Sequence, residues 1–253
     1  VKAMLFAAGR GTRLAPLTDS VPKPLVSVAG RPMIEYPLLL LRHYGITDIV
    51  VNIHHLGAMI EDYLGDGRRL GVNLSYSRET ELLDTGGGLL KARPFLDGGT
   101  FVVVNSDVLI DLDLRAVIER HLSTRAAATL VLRADPDADR YGAIELSRDG
   151  RVQKFLHHVA ASSGSAGPLN KFMFTGVQVL EPRIFDYMES ETSRRFGTTT
   201  ATYPKMLLDG ANLQGFAFDG FWHDLGTPES IRSAEAKLAA GRARLRYLGS
   251  PQT

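Results

Sequence analysis

Short apolar runs alternate with longer amphipathic ones through the first half of the chain. KAMLFAA (Lys2–Ala8), DIVVNI (Asp48–Ile53), VNLSYS (Val72–Ser77), TFVVVNSD (Thr100–Asp107) and AATLVLRA (Ala127–Ala134) have strand length. Between them, PMIEYPLLLLRHYG (Pro32–Gly45), LGAMIEDYLGDG (Leu56–Gly67), GGLLKARPFL (Gly87–Leu96) and LDLRAVIERHLST (Leu112–Thr124) carry helical spacing. Continuous apolar strands separated by amphipathic helices predict an α/β fold, a Rossmann-like, mixed but mostly parallel sheet flanked by helices. Gly45, Gly65 and Gly71 fall where helices should end.

From about Tyr141 the pattern changes. YGAIELS, RVQKFL and KFMFTGVQVL read as strands with little helix between them, so the sheet is expected to gain antiparallel members there. HHVAASSGSAGPLNK (His157–Lys171) reads as a mobile surface loop. TPESIRSAEAKLAAGRARLRYL opens with Thr227 as a cap, Pro228 in the first turn and Glu229 beside it, a helix start. The simplest organisation is one domain over residues 1–240, with a C-terminal helical extension and a tail over 241–253.

Composition narrows the classes. The 253 residues are 44% hydrophobic and 23% charged, ordinary for a globular protein with a sizeable core. A formal net charge of +1 gives no bulk attraction to nucleic acid or membrane, and neither is expected as a partner. The absence of cysteine removes disulfides, thiolate metal sites and cysteine nucleophiles. No apolar run approaches membrane-helix length, and the opening VKAMLFAAGRG lacks the spacer and cleavage site of a secretion signal, so a cytoplasmic location is expected. A homo-oligomer is left open.

The stretch FAAGRGTRLAPLTDSVPKPL (Phe6–Leu25) is the most unusual in the chain. Glycines after a first strand let backbone amides approach phosphate. Leu14 stands where the dinucleotide fingerprint wants a third glycine, and no Gly-Lys-Ser/Thr follows as in a Walker loop. Pro16, Pro22 and Pro24 forbid a regular helix. A stiff loop therefore carries Arg10, Arg13 and Lys23 at the carboxyl end of the first strand, where ligands of open α/β sheets sit. Fixed cations with bare amides suit a polyphosphate. A mere connector is the plainer reading, but connections in compact domains usually run only about 4–6 residues.

Two acids fall where ordered strands stop. Asp107 closes FVVVNSD, and Asp224 lies in FWHDLGT, where an aromatic stretch breaks at a glycine turn. Asp111 and Asp113 read as the start of the next helix. The paired histidines His54–His55 and His157–His158 would face opposite ways on a strand, and no HExxH spacing occurs, so a zinc site is not expected.

Taken together, LFAAGRGTRLAPLTDSVPKPLVSVAGRPMIEY resembles the signature of the sugar-1-phosphate nucleotidylyltransferases. ETELLDTGGGLLKA resembles that family's base-recognition segment, VVVNSDVL its first metal strand, YGAIEL its sugar loop, and FWHDLGTPES its second metal site. The likeness runs from Lys2 to about Leu238 and implies a GT-A-type fold. It also implies an enzyme that joins a nucleoside triphosphate to a sugar 1-phosphate and releases pyrophosphate. Carried over by motif, Asp107 and Asp224 would bind Mg²⁺. Arg13 would sit on the triphosphate and Lys23 on the α- or sugar phosphate, the two catalytic cations. Ala8, Gly9, Gly11 and Thr12 would offer donors to the nucleotide, and Glu81, Thr85 and Gly86 would read the base. Asn105, Gly142, His157 and Thr175 would contact the sugar phosphate.

Within the family the chain most resembles N-acetylmuramate-1-phosphate uridylyltransferases and mannose-1-phosphate guanylyltransferases, so uridylyl or guanylyl transfer is expected. It departs from both on the sugar side. Ala143 replaces the aspartate of the first group, His157 and His158 replace the usual Glu-Lys, and Thr175 stands where an asparagine is usual. Two rivals remain. A metal-dependent glycosyltransferase would need an Asp-x-Asp, for which the Asp-Leu-Asp at 111–113 is the sole candidate. A non-catalytic nucleotide-sugar-binding subunit would be expected to lose a loop cation or a metal aspartate, and this chain keeps all four.

Overall fold

A computed structural model of the chain describes residues 1–135, 138, 143–160, 170–188 and 193–249. The fold is α/β, with a mixed, largely parallel central sheet flanked by helices, as the apolar pattern predicts. The chain groups into two compact units. One comprises Val1–Leu82, Val104–Leu112 and the chain from Gly220 onward; the other comprises Leu83–Val103 and Asp113–Asp219. No helix among the described residues is long and apolar enough to cross a membrane.

In the first unit three parallel strands lie side by side: Lys2–Phe6, Asp48–Ile53 and Asn73–Arg78. Ala3 is opposite Ile49 and Phe6 opposite Asn52, while Asp48 is opposite Asn73. The first is buried from Ala3 to Leu5 and the second from Ile49 to Ile53, as strands covered on both faces must be. The third alternates between exposed and covered positions, the pattern of an outer strand. Helix Glu35–His43 buries all four leucines, Leu38 to Leu41, and ends where Gly45 takes φ +76°. Gly65 closes helix Gly57–Leu64 in the same way. Near the end of the chain, Thr227 accepts from the Ser230 amide at 3.1 Å, and its own amide bonds the Ser230 hydroxyl at 3.0 Å. This capping box starts helix Pro228–Ala239 at the residue the sequence marks.

In the second unit strand Ala128–Ala134 pairs antiparallel with the long strand Asn170–Leu180 and parallel with Leu213–Ala217. Ile144–Leu146, Val152–Phe155 and His158–Val159 extend the sheet by antiparallel pairing, as expected after Tyr141. His158 and Val159 therefore leave the expected surface loop. They form the return arm of a tight hairpin whose turn is Leu156–His157, with Phe155 opposite His158. Asp113 caps helix Leu114–Thr124 by accepting from the Arg115 and Ala116 amides. Asp111 does not share that role. In the first unit its carboxylate takes both the amide and the guanidinium of Arg246, at 2.9 and 3.0 Å.

The second unit also buries His121, 1% exposed, between the Thr129 hydroxyl at 2.9 Å and the Glu181 carboxylate at 3.0 Å. Burial holds this imidazole below its ordinary pKa, against the opposing pull of Glu181. The unfolded chain takes a proton near pH 6.5, whereas the folded chain resists it until lower pH. The stabilisation is therefore complete above about pH 6.5 and is lost as pH falls through the folded-state value. In urea unfolding between pH 8 and 5, the wild type should lose more stability than His121→Gln; equal losses would show that this ring does not titrate on unfolding.

Candidate active site

The first strand ends at Phe6, and the loop that follows turns three times in single 3₁₀ turns, Thr12–Leu14, Leu17–Asp19 and Lys23–Leu25. The prolines hold it out of a regular helix, as expected. Leu14 anchors it, 2% exposed, and the buried Thr18 hydroxyl donates to the Gly11 carbonyl at 3.0 Å. Gly11 has φ +66°, and a Cβ there would lie 2.7 Å from the Cβ of Lys23. The glycine thus serves close packing of the loop upon its own lysine. Gly9 is different: it is exposed, and a Cβ there would meet nothing within 4 Å. Ala8 is buried, while Thr12, Arg10 and Arg13 are exposed.

Lys23 is only 9% exposed, and its ammonium is ion-paired with the Asp107 carboxylate. Asp107 follows strand Phe101–Asn105 and leads into Val108–Ile110, which pairs antiparallel with Trp222–Asp224. Asp224 is opposite Val108, and the Leu225 amide donates to the Asp107 carbonyl at 2.9 Å. This short ribbon brings the two acids, 117 positions apart by number (224 − 107), onto neighbouring backbone. Asp224 also accepts from the Gly226 amide at 2.9 Å. A Cβ on Gly226 would stand 2.5 Å from an Arg13 guanidinium nitrogen and 2.7 Å from an Asp224 carboxylate oxygen, so Arg13 and Asp224 close on one point. Arg13, Lys23, Asp107 and Asp224 therefore converge within the first unit. Asn105 lies half-buried at the end of its strand, and Glu81 is exposed.

The remaining expected residues lie in the second unit. Thr85 sits in the first turn of helix Asp84–Lys91, where its hydroxyl accepts from the Thr198 amide at 2.9 Å. The Gly86 amide does not face outward for a base; it donates to the Phe196 carbonyl at 2.8 Å, and that of Gly87 does so at 3.2 Å. A Cβ on Gly86 would fall 2.3 Å from the Phe196 ring, and one on Gly87 would fall 2.2 Å from the Arg194 carbonyl. Here the glycines admit a neighbouring segment. His157 is exposed at the hairpin turn. Thr175 is 1% exposed and its hydroxyl donates to the Val131 carbonyl at 2.8 Å. It sits in the stretch where the pairing of Asn170–Leu180 shifts register, and with this burial it is not set on an open surface. Gly142 lies outside the described residues.

Sequence reading missed the loop's braces. Asn52 and Glu79, both buried, link the start of the loop to the chain ahead of Glu81, and His55 reaches the Thr18 carbonyl at 3.3 Å. An asparagine inside the apolar strand DIVVNI was the available signal, because a buried polar side chain must find partners.

The donor set is that of a hard divalent cation. No cluster of three or more His, Cys, Asp or Glu suited to a metal occurs among the described residues. Two carboxylates, hard oxygen donors, suit Mg²⁺, which takes one or two carboxylates and completes its shell with water and phosphate. The Asp-Leu-Asp of a glycosyltransferase is not at hand: Asp111 is held by Arg246 and Asp113 caps a helix.

A model of the nucleotidyl transferase family matches residues 2–241. An N-acetylmuramate alpha-1-phosphate uridylyltransferase of Neisseria meningitidis is 37% identical over 95% of this chain and 99% of its own length. A UTP–glucose-1-phosphate uridylyltransferase of Synechocystis is 34% identical over 89% of this chain and 60% of its own length. A mannose-1-phosphate guanylyltransferase of Mycobacterium tuberculosis is 32% identical over 96% of this chain and 66% of its own length. The chain thus spans less than two thirds of two of these relatives. Among solved structures, HddC from Yersinia pseudotuberculosis superposes with a TM-score of 0.75 at 23% identity, over 94% of this chain and 99% of that one, a likeness of fold.

Gly11→Ala should destabilise the protein by about 1–3 kcal/mol, because the new Cβ meets the Lys23 stem at a positive φ. Gly9→Ala should stay within about 0.5 kcal/mol of wild type. Urea titrations of the two variants test this, and equal effects would remove the packing role assigned to Gly11.

Proposed function

The chain belongs to the nucleotidyl transferase family, and we propose from that premise that it joins a nucleoside triphosphate to a sugar 1-phosphate, giving a nucleotide-sugar and pyrophosphate. The observation that carries this reading is the convergence of Arg13, Lys23, Asp107 and Asp224 within one unit. A phosphate oxygen of the sugar phosphate attacks the α-phosphorus in line. A new P–O bond forms as the bond to the bridging oxygen breaks, and pyrophosphate carries the electron pair away. The attacking oxygen is already an anion near neutral pH, so no general base is required. Repulsion between two anionic partners is the obstacle, and positioned positive charge is the remedy.

Arg13 is exposed, makes no ion pair or hydrogen bond among the described residues, and is free to take the triphosphate. Lys23 serves the α- or sugar phosphate. Ala8, Gly9 and Thr12 lie on the same loop and offer amide or hydroxyl donors. Asp107 and Asp224 would hold Mg²⁺, which when bound supplies positive charge to phosphate oxygens. Glu81 and Thr85 are the side chains proposed to read the base, with Asn105 and His157 toward the sugar phosphate. Uridylyl or guanylyl transfer is the proposed chemistry, supported by the printed activities of the uridylyltransferase and guanylyltransferase relatives.

The test is pyrophosphate release from a panel of four triphosphates and several sugar 1-phosphates, with Mg²⁺ and with chelator. Release should require both substrates and stop with chelator. Lys23→Ala should lose about 10²-fold or more in turnover while remaining folded. Near-normal turnover of that variant would refute the role of Lys23, and no release from any pair would refute the reaction.

A further inference from the structure

We infer that Asn52 is a positioning residue for nucleotide binding, acting through a buried bridge between the phosphate loop and the segment that leads to Glu81. Asn52 is the fifth residue of strand Asp48–Ile53 and is only 3% exposed. Its Oδ1 accepts from the Ala7 amide at 2.8 Å, at the point where the first strand gives way to the loop. Its Nδ2 donates to the Glu79 carboxylate at 2.7 Å. Glu79 is 6% exposed and fixed through its backbone as well. Its amide donates to the Ile53 carbonyl at 2.8 Å, and its carbonyl lies 3.0 Å from a His54 ring nitrogen.

One amide side chain thus ties the loop origin, one residue before Ala8, to a residue two before Glu81. With both polar ends bonded and almost no exposure, Asn52 cannot itself meet substrate. What it sets is the spacing between two segments that, on the reading proposed above, hold different parts of one triphosphate. A strand needs no asparagine here for pairing, and an apolar residue would remove one bond from the Ala7 amide and one from the Glu79 carboxylate. The inference rests on the proposed triphosphate chemistry.

Asn52→Asp keeps the acceptor for Ala7 but sets a carboxylate against Glu79. The double variant Asn52→Asp/Glu79→Gln restores the bridge with the donor reversed. Asn52→Ser withdraws from both partners without adding charge, and decides the matter if Asn52→Asp fails to fold. The Michaelis constant for the triphosphate should rise about tenfold or more in Asn52→Asp and Asn52→Ser, with that for the sugar 1-phosphate unchanged within about twofold. The double variant should return the triphosphate constant to near wild type. Reduced melting temperatures with an unchanged triphosphate constant, or no recovery in the double variant, would overturn the positioning role while leaving the reaction intact. A wild type that turns over no triphosphate would sink both.

Discussion

An ammonium drawn into a protein interior requires an opposite charge beside it, because an unpaired buried charge is far more costly than the contacts it forms. Lys23 is in that position, and Asp107 answers it. Much of the first unit's geometry follows from this pair. The loop closes over the lysine stem only because Gly11 lacks a Cβ. Asp107 is held in the turn just past its strand, where its carbonyl receives the Leu225 amide and so fixes the chain carrying Asp224. Gly226, equally bare, lets Arg13 lie beside that second acid.

This arrangement has a chemical meaning on the proposed reading. Both acids already have cations at hand, Lys23 by direct pairing and Arg13 by proximity. A bare cation or a bare phosphate entering beside Lys23 and Asp107 displaces an existing partner. A ligand carrying both signs, as a polyphosphate complexed with a divalent ion does, can exchange with both sets together. On that reading the Lys23–Asp107 pair holds the loop before the substrate arrives, and all four side chains serve charge stabilisation afterwards.

The sequence disclosed the fold more readily than the contacts within it. Parallel strands were legible in KAMLFAA and DIVVNI because strands covered on both faces must be apolar throughout. The antiparallel turn of events after Tyr141 was legible because helical spacing stops there. Asp113 and Thr227 were legible as caps, since capping depends on a few adjacent residues. Asp111 was not, because its partner Arg246 lies 135 positions away. Lys23 and Asp107 were each singled out, yet their mutual pairing was invisible for the same reason. In the sequence His158 reads as loop, because a two-residue strand is too short to show alternation. The brace at Asn52 needed three segments to be known together.

Glycines in the stretch 86–88 invite the idea of main-chain recognition, but Gly86 and Gly87 have already given their amides to Phe196. On the proposed reading, discrimination here falls to side-chain groups such as those of Glu81 and Thr85. Main-chain amides present the same face whatever the genetic change, whereas side chains can be exchanged singly. A preference built on the latter can drift from one nucleobase to another without disturbing the scaffold, which would let closely similar folds in one family serve different donors.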